Sequence, residues 1–404
     1  MTNRVFITGL GVVSAIGIGK DAFWNSTVEG KSGIKKITFF ETSHLRSHIA
    51  GEITDFDPLK ILDKKEIKDT DRVTHLALTA VDEAIKDSNI SLSDDCALVV
   101  GTGLGGISTD NIQHKVYYTK GYRFVSPLTI PMGMYNATEC HISKRYGIMG
   151  AGYTISTACA SGLNAIGEGF RLIKEGYAQQ ALCGGTDATL SESIFCAWCA
   201  MRILSRRNDD PQGACRPYSK DRDGMVLGEG AGFVVLESEQ SVIERSAKTY
   251  CEIVGYGLSH DANHITAPDV RGQAIAIKKA LKFANIQPSE VDYINCHGTG
   301  TLLNDKVETD SIKNVFGEHA YKIPMSAIKP LIGHTLGASG AIGLIATCLA
   351  IKHSVIPPTI NYTEPDPECD LDYTPNKARQ KDINFALCNA FGFGGNNAVI
   401  VLRR

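Results

Sequence analysis

The segment ISTACASGLNAIGEGF, which starts at Ile155, carries the residue with the clearest nucleophilic promise. A strand is expected to end there, Cys159 follows, and an amphipathic helix starts through Ser161 and Gly162. A thiol at a helix N-terminus meets free backbone N–H groups and the positive end of the helix dipole, and both favour thiolate. Ala158, Ala160, Ser161 and Gly162 leave room beside it for a bulky acyl chain. Against this, most free thiols are simply buried and inert.

The chain's later part supplies partners for such a nucleophile. NCHGTGTLLND places His297 at the end of the strand VDYIN, and SAIKPLIGHTLGASGA places Lys329 and His334 before an apolar helix. Both histidines sit in Gly- and Thr-rich turns after buried strands, where side chains from separate segments converge. Thr299 and Thr301 are suited to hydrogen-bond an amide-containing arm, and Asp305 and Glu308 to neutralise or orient Lys329. In CNAFGFGGNN, Phe393 stands between glycines, where bare backbone N–H groups can approach a reacting carbonyl oxygen.

Positioning these residues falls to an internal repeat. LALTAVDEAIKDSNISLSDDCALVVGTGLGG, from Leu76, and QAIAIKKALKFANIQPSEVDYINCHGTGTLL, from Gln273, share one plan: amphipathic helix, Asn-Ile, polar turn, buried strand, Gly-Thr-Gly. VFITGLGVVS echoes EIVGYGLS, and ALCGGTDA echoes ALCNAFGFGG, in the same order. Two duplicated α/β halves follow, 1–250 with the nucleophile and 251–404 with the His/His/Lys set. Val- and Ile-rich strands alternating with helices imply sheets covered on both faces. A shared site belongs where the strand ends and Gly-rich loops of the halves meet.

Composition removes other classes. The 404 residues carry a formal net charge of -3, unlike a protein that coats nucleic acid. No run of eighteen apolar residues offers a membrane span, and MTNRVFITGLGVVSAIG reads as a strand entering a Gly turn rather than a signal peptide, which leaves the cytoplasm as the expected compartment. The 12 cysteines are then expected as reduced thiols. Cys196 and Cys199, in a segment expected to be a buried helix, form the one CxxC and lack a second pair for zinc, so no metal is expected. GTGLGG at Gly101 has neither the spacing nor the acidic partner of a dinucleotide loop.

Taken together, the residues resemble the elongating β-ketoacyl-acyl carrier protein synthases of type II fatty acid synthesis, in the thiolase-like superfamily. The resemblance spans the chain through RVFITGLGVVSAIG, TACASG, CRPYSKDRDGMVLGEGAG, CHGTGT, IGHTLGASGA, FGFGGNN and the tail IPPTINYTEPDPECDLDY. Two histidines, rather than a His–Asn pair, point to the elongating enzymes and away from the initiating synthase. The lack of a second catalytic cysteine points away from degradative thiolases. The resemblance implies a five-layered αβαβα thiolase-like fold and a decarboxylative condensation of malonyl-acyl carrier protein with an acyl group held on Cys159. His297 and His334 would stabilise the enolate, Lys329 would give electrostatic support as a partner of Glu308, and the N–H groups of Cys159 and Phe393 would form an oxyanion hole. The Phe393 ring would gate the acyl chain. Thr299, Thr301 and Thr266 would contact the phosphopantetheine arm, which the carrier brings, so no cofactor of the enzyme's own is expected. Carrier proteins are acidic, and Lys64, Lys65, Lys68, Arg72, Arg123, Arg206 and Arg207 are the expected docking cations. A homodimer is the family's habit, and a heterodimer with a ketosynthase-like chain-length factor is the alternative.

The chain departs from the family's pattern at three places. Leu302 stands where elongating members usually carry Pro; Ile328 to Gly333 replace a more polar string before His334; and Met132 and Met134 lie in VSPLTIPMGMYNATE, expected on the acyl tunnel. Methionines adapt to irregular pockets, so a type II polyketide or polyene ketosynthase stands beside fatty acid elongation as the alternative.

Overall fold

A computed structural model of the chain describes residues 3–404. Met1 and Thr2, the first residues of the N-terminus discussed above, lie outside the described residues. The first half holds β1 (Val5–Ser14), α1 (Arg72–Ser88), β2 (Ala97–Gly101), β3 (Gly152–Ile155), α2 (Ser161–Lys174), β4 (Gln180–Asp187) and β5 (Gly230–Ser238). The second holds β6 (Cys251–His260), α3 (Val270–Ala284), β7 (Tyr293–Asn295), α4 (Leu302–Phe316), β8 (Met325–Ser326), α5 (Ser339–His353), β9 (Phe385–Gly392) and β10 (Asn396–Arg403).

Sheet order makes the duplication explicit. From the middle outward the first half runs β1-β5-β4-β2-β3 and the second β6-β10-β9-β7-β8, with the two innermost pairings antiparallel and the two outer ones parallel in each. The half-sheets join edge to edge where Val5–Ile7 pair with Cys251–Ile253. Even irregularities repeat: the register shifts between Ile7 and Gly9 in β1, and between Ile253 and Gly255 in β6. A Cβ at Gly11 or Gly257 would collide with the carbonyl of Ala80 in α1 or Ala276 in α3, so these glycines let an outer helix lie directly on each half-sheet. Both Asn-Ile steps are helix stops, with Asn89 (φ 51°) and Asn285 (φ 55°) in the left-handed conformation that asparagine tolerates.

Three apolar clusters mark three helical layers. α1 covers one face of the first half-sheet, α3 and α4 cover one face of the second, and α2 and α5 pack between the halves against strands of both. α5 is apolar on every side because it is buried on every side. Among the described residues, the one segment long and apolar enough to cross a membrane, Leu336–His353, includes this helix and is 83% buried within the protein.

Candidate active site

Cys159 sits on an elbow between β3 and α2. Ala158 adopts φ 50°, costly for a residue with a Cβ, and the turn is held by Ser161 Oγ, which accepts from Thr157 N–H (2.8 Å) and donates to the Ala158 carbonyl (2.6 Å). Helical residues begin at Ser161, two positions after the thiol. β9 ends against this elbow: a Cβ at Gly392 would lie 2.8 Å from the Thr157 carbonyl oxygen and 3.1 Å from Cys159 N. That close approach brings the Phe393 N–H onto the thiol beside the N–H of Cys159 itself. The expectation of a resting thiolate is corrected here. Burial pushes the Cys159 thiol up to about 11, against the pull of the Lys329 charge and the Phe393 N–H.

His334 Nε2 lies 3.1 Å from Cys159 Sγ. The backbone N–H of Leu336 donates to His334 Nδ1 at 3.2 Å, and Ser339 Oγ stands 2.9 Å from the same nitrogen. Nδ1 is thus an acceptor, and the ring proton sits on Nε2, facing the sulfur. His297 is held in the same sense, with Lys329 Nζ 3.4 Å from its Nδ1 and also donating to its backbone carbonyl. The two imidazoles stand nearly perpendicular, centroids 5.4 Å apart. Burial, reinforced by the Lys329 charge, holds both well below the ordinary histidine value, so they stay neutral at pH 7. The result is two neutral N–H donors beside a nucleophile, with two backbone N–H groups behind it. This constellation can receive an acyl group and stabilise an oxyanion next to it.

Residues 2–241 match the family described as "Beta-ketoacyl synthase, N-terminal domain", and residues 250–363 match "Beta-ketoacyl synthase, C-terminal domain". The chain belongs to the β-ketoacyl synthase family. Over 99% of its length it is 44% identical to "3-oxoacyl-[acyl-carrier-protein] synthase 2" of Synechocystis sp. and 43% identical to the protein of that name from Staphylococcus aureus, covering 98% of each. Among solved structures it is similar to "The ishigamide ketosynthase/chain length factor" (TM-score 0.94, 35% identity, covering 100% of this chain and 99% of that one). It is also similar to AntDE:AntF, a "type II PKS acyl-carrier protein in complex with its ketosynthase bound to the hexaketide" (TM-score 0.92, 33% identity, covering 100% and 99%). The layers are those of the thiolase-like ketosynthase fold, and the chain is an acyl-transferring condensing enzyme.

A cavity of about 320 Å³ leads to this β-ketoacyl synthase centre, with Cys159, His297 and His334 lining it together with Thr266, Thr299, Thr301 and Phe393. The carboxylates are placed differently from expectation. Glu308 accepts from the N–H groups of His297 (2.7 Å) and Gly298 (2.9 Å) and from Tyr218 OH (2.9 Å), so it reaches Lys329 only through space. Asp305 does not orient Lys329 at all. It accepts from the N–H groups of Tyr218, Thr299 and Gly300 and lies 3.7 Å from Arg222 Nε. Burial draws Lys329 below its ordinary value, opposed by Glu308, which corrects the picture of a lysine clasped by a carboxylate.

Met132 and Met134 do not line the cavity; their segment packs on the helix Ile107–Lys120, and Met134 is exposed. The helix around Cys196 and Cys199 is only half-buried, with Cys199 inside and Cys196 exposed, so the CxxC does not converge. Of the expected docking cations, Lys64, Lys65, Lys68, Arg123 and Arg206 are exposed. Arg72 is instead committed inward: it bridges Glu229 through two bonds (2.7 and 2.8 Å) and stacks over Phe39 and Phe56. Arg207 is engaged by Asp221 (3.0 Å).

Four residues escaped the sequence reading. Asp187 ends β4 and accepts from Thr102 Oγ1 and the N–H groups of Gly103, Leu104 and Gly337. Trp198 stacks on Phe393, centroids 5.9 Å apart. Tyr218, from CRPYSKDRDGMVLGEGAG, braces Glu308. Arg202 lines the cavity, and among the described residues nothing pairs with its guanidinium. A lone charge closing the apolar strand ALCGGTDA was the visible signal for Asp187; the others had none.

Proposed function

We propose that this chain is the elongating β-ketoacyl-acyl carrier protein synthase of a fatty acid pathway, acting in the cytoplasm. Cys159 attacks the thioester of an acyl carrier protein, keeps the acyl group, and passes its proton to the departing pantetheine sulfur. Malonyl-acyl carrier protein then extends its arm past Thr266, Thr299 and Thr301. The Nε2–H groups of His297 and His334 take the malonyl thioester carbonyl, and the bond to the carboxylate breaks, releasing carbon dioxide and leaving an enolate. Its carbon attacks the Cys159 thioester, whose oxyanion is received by the N–H groups of Cys159 and Phe393. The carbon–sulfur bond then breaks, and the released thiolate takes up a proton. Loss of carbon dioxide drives the condensation, so no step calls on a metal or an organic cofactor.

The observation that carries this reading is the pair of histidines whose Nδ1 atoms are both occupied as acceptors, one with Nε2 3.1 Å from the thiol. The test is intact-protein mass after incubation with carrier proteins bearing saturated, polyene or polyketide chains. A Cys159 adduct from saturated chains is expected. Adducts from conjugated or keto chains alone would move the enzyme to a type II polyketide or polyene pathway, the second reading, for which the likeness to the type II PKS ketosynthase above speaks at the level of the family.

We further propose a homodimer built on the outer edge of β3. That strand is the end of the sheet among the described residues, and in the same half Tyr118, Tyr122, Phe124, Ile130 and Met149 are each at least 66% exposed.

A further inference from the structure

The mouth of the cavity is apolar where a water-filled opening calls for polar side chains. Leu302, Leu303 and Ile265 all line it, and they are 61%, 62% and 70% exposed. The two leucines are the first residues of α4, whose buried side is made by Asp305, Glu308, Thr309 and Ile312. They therefore fill no core, and nothing in the helix's own packing requires leucine there. Ile265 is fixed at the same opening because its carbonyl accepts from Gly394 N–H at 2.7 Å, in the Phe393 turn. Met201, 42% exposed, lines the cavity beside them. Convergent apolar surface of this kind marks a contact face, because covering it releases ordered water.

We propose that Leu302, Leu303 and Ile265 form a lip on which the body of the acyl carrier protein docks, separate from the contacts made by its prosthetic arm. This rests on the condensing reading above. Cys159 is 6% exposed and lies at the inner end of the cavity that opens at this lip. Any thioester reaching it must pass between these side chains, so the protein carrying the thioester comes to rest over them. Arg202, unpaired among the described residues, stands at the same mouth and complements the acidic surface and phosphate of such a carrier. The lip supplies the apolar centre of the contact and the guanidinium its polar edge, the usual division in a small interface.

The test compares two donors of one acyl group, an acyl carrier protein and the small thioester of N-acetylcysteamine, with Cys159 loading read by intact mass. The Leu302→Ser/Leu303→Ser variant should raise the apparent KM for the carrier about tenfold. Its maximal loading rate should hold, and loading from the small thioester should match wild type. Leu302→Met/Leu303→Met should restore the KM. An unchanged KM, or an equal loss with both donors, would overturn the lip as a protein-docking surface. Failure of wild-type protein to load from either donor would overturn the condensing reading itself.

Discussion

Cys159 receives opposing influences from its surroundings. Burial raises its thiol to about 11, while Lys329 and the Phe393 N–H pull it down. Below that value the thiolate fraction grows tenfold per pH unit, so alkylation of Cys159 by iodoacetamide should rise by about tenfold per unit between pH 7 and 9. Lys329→Met removes the positive charge, moves the thiol higher still and should slow alkylation at pH 8; an unchanged rate would show that the charge does not reach the sulfur. The histidines titrate in the other direction. Their values are depressed, so both stay neutral as pH falls through 6.5, and malonyl decarboxylation should show no acid limb there. A limb near 6.5 in single-turnover carbon dioxide release would mean that a histidine gains a proton in the working site. His297→Ala and His334→Ala should leave Cys159 loading in place yet cut decarboxylation by about a hundred- to a thousandfold each, the usual cost of losing one oxyanion donor. Loss of loading instead would reverse the division of labour between thiol and imidazole.

At the scale of elements, Asp187 ties together two Gly-rich turns that the sequence shows only as separate motifs. Its carboxylate gathers the N–H groups of Gly103 and Leu104 after β2 and of Gly337 beside the residue that fixes the His334 ring. Asp187→Ala leaves four donors without their acceptor and should destabilise the protein by about 3 kcal/mol or more by urea denaturation, with His334-dependent decarboxylation lost alongside; a cost within about 0.5 kcal/mol would show that the turns hold without it. The repeat was legible in the sequence down to its Asn-Ile helix stops because φ-restricted residues and strand patterns are local signals. Cys159, His297 and His334, which converge on one cavity, were legible as strand-end motifs for the same reason. What was not legible depended on long-range packing: that Arg72 turns inward to Glu229, that Asp305 belongs to Arg222, and that Met132 lies on an outer helix. Each is decided by which side chain arrives across the fold, and a sequence window holds only one of the two partners. The thiol failed the local rule for a related reason. A helix terminus lowers a thiol's value, but burial, visible only in the assembled layers, outweighs it.

Across the whole molecule, duplication explains why the site lies where it does. In each half the parallel strands lead into the turns of the site, and the elbow after β3 meets the turns after β7 and β8 at the cavity. The first half also reaches across: Val226 accepts from His334 N–H at 2.6 Å and Gly228 donates to the His334 carbonyl at 2.9 Å, so the histidine is aligned by a segment of the opposite half. What the duplication does not cover is the outer edge of β3, which among the described residues keeps unpaired backbone groups beside Tyr153, in the half that also exposes the aromatic side chains of the helix Ile107–Lys120 and its following turn. Such an edge invites strand addition, and a second copy meeting it across a two-fold axis would pair β3 with itself and cover the rings. Light scattering should therefore give the purified chain a mass twice 43.6 kDa. Tyr153→Asp places a charge opposite its own copy on that axis and should shift the mass toward the single chain at micromolar concentration. A single-chain mass for the unaltered protein, with activity appearing only on co-expression with a second ketosynthase-like chain, would replace the homodimer by a heterodimer on the same edge. A stable dimer unaffected by Tyr153→Asp would place the interface on another face altogether.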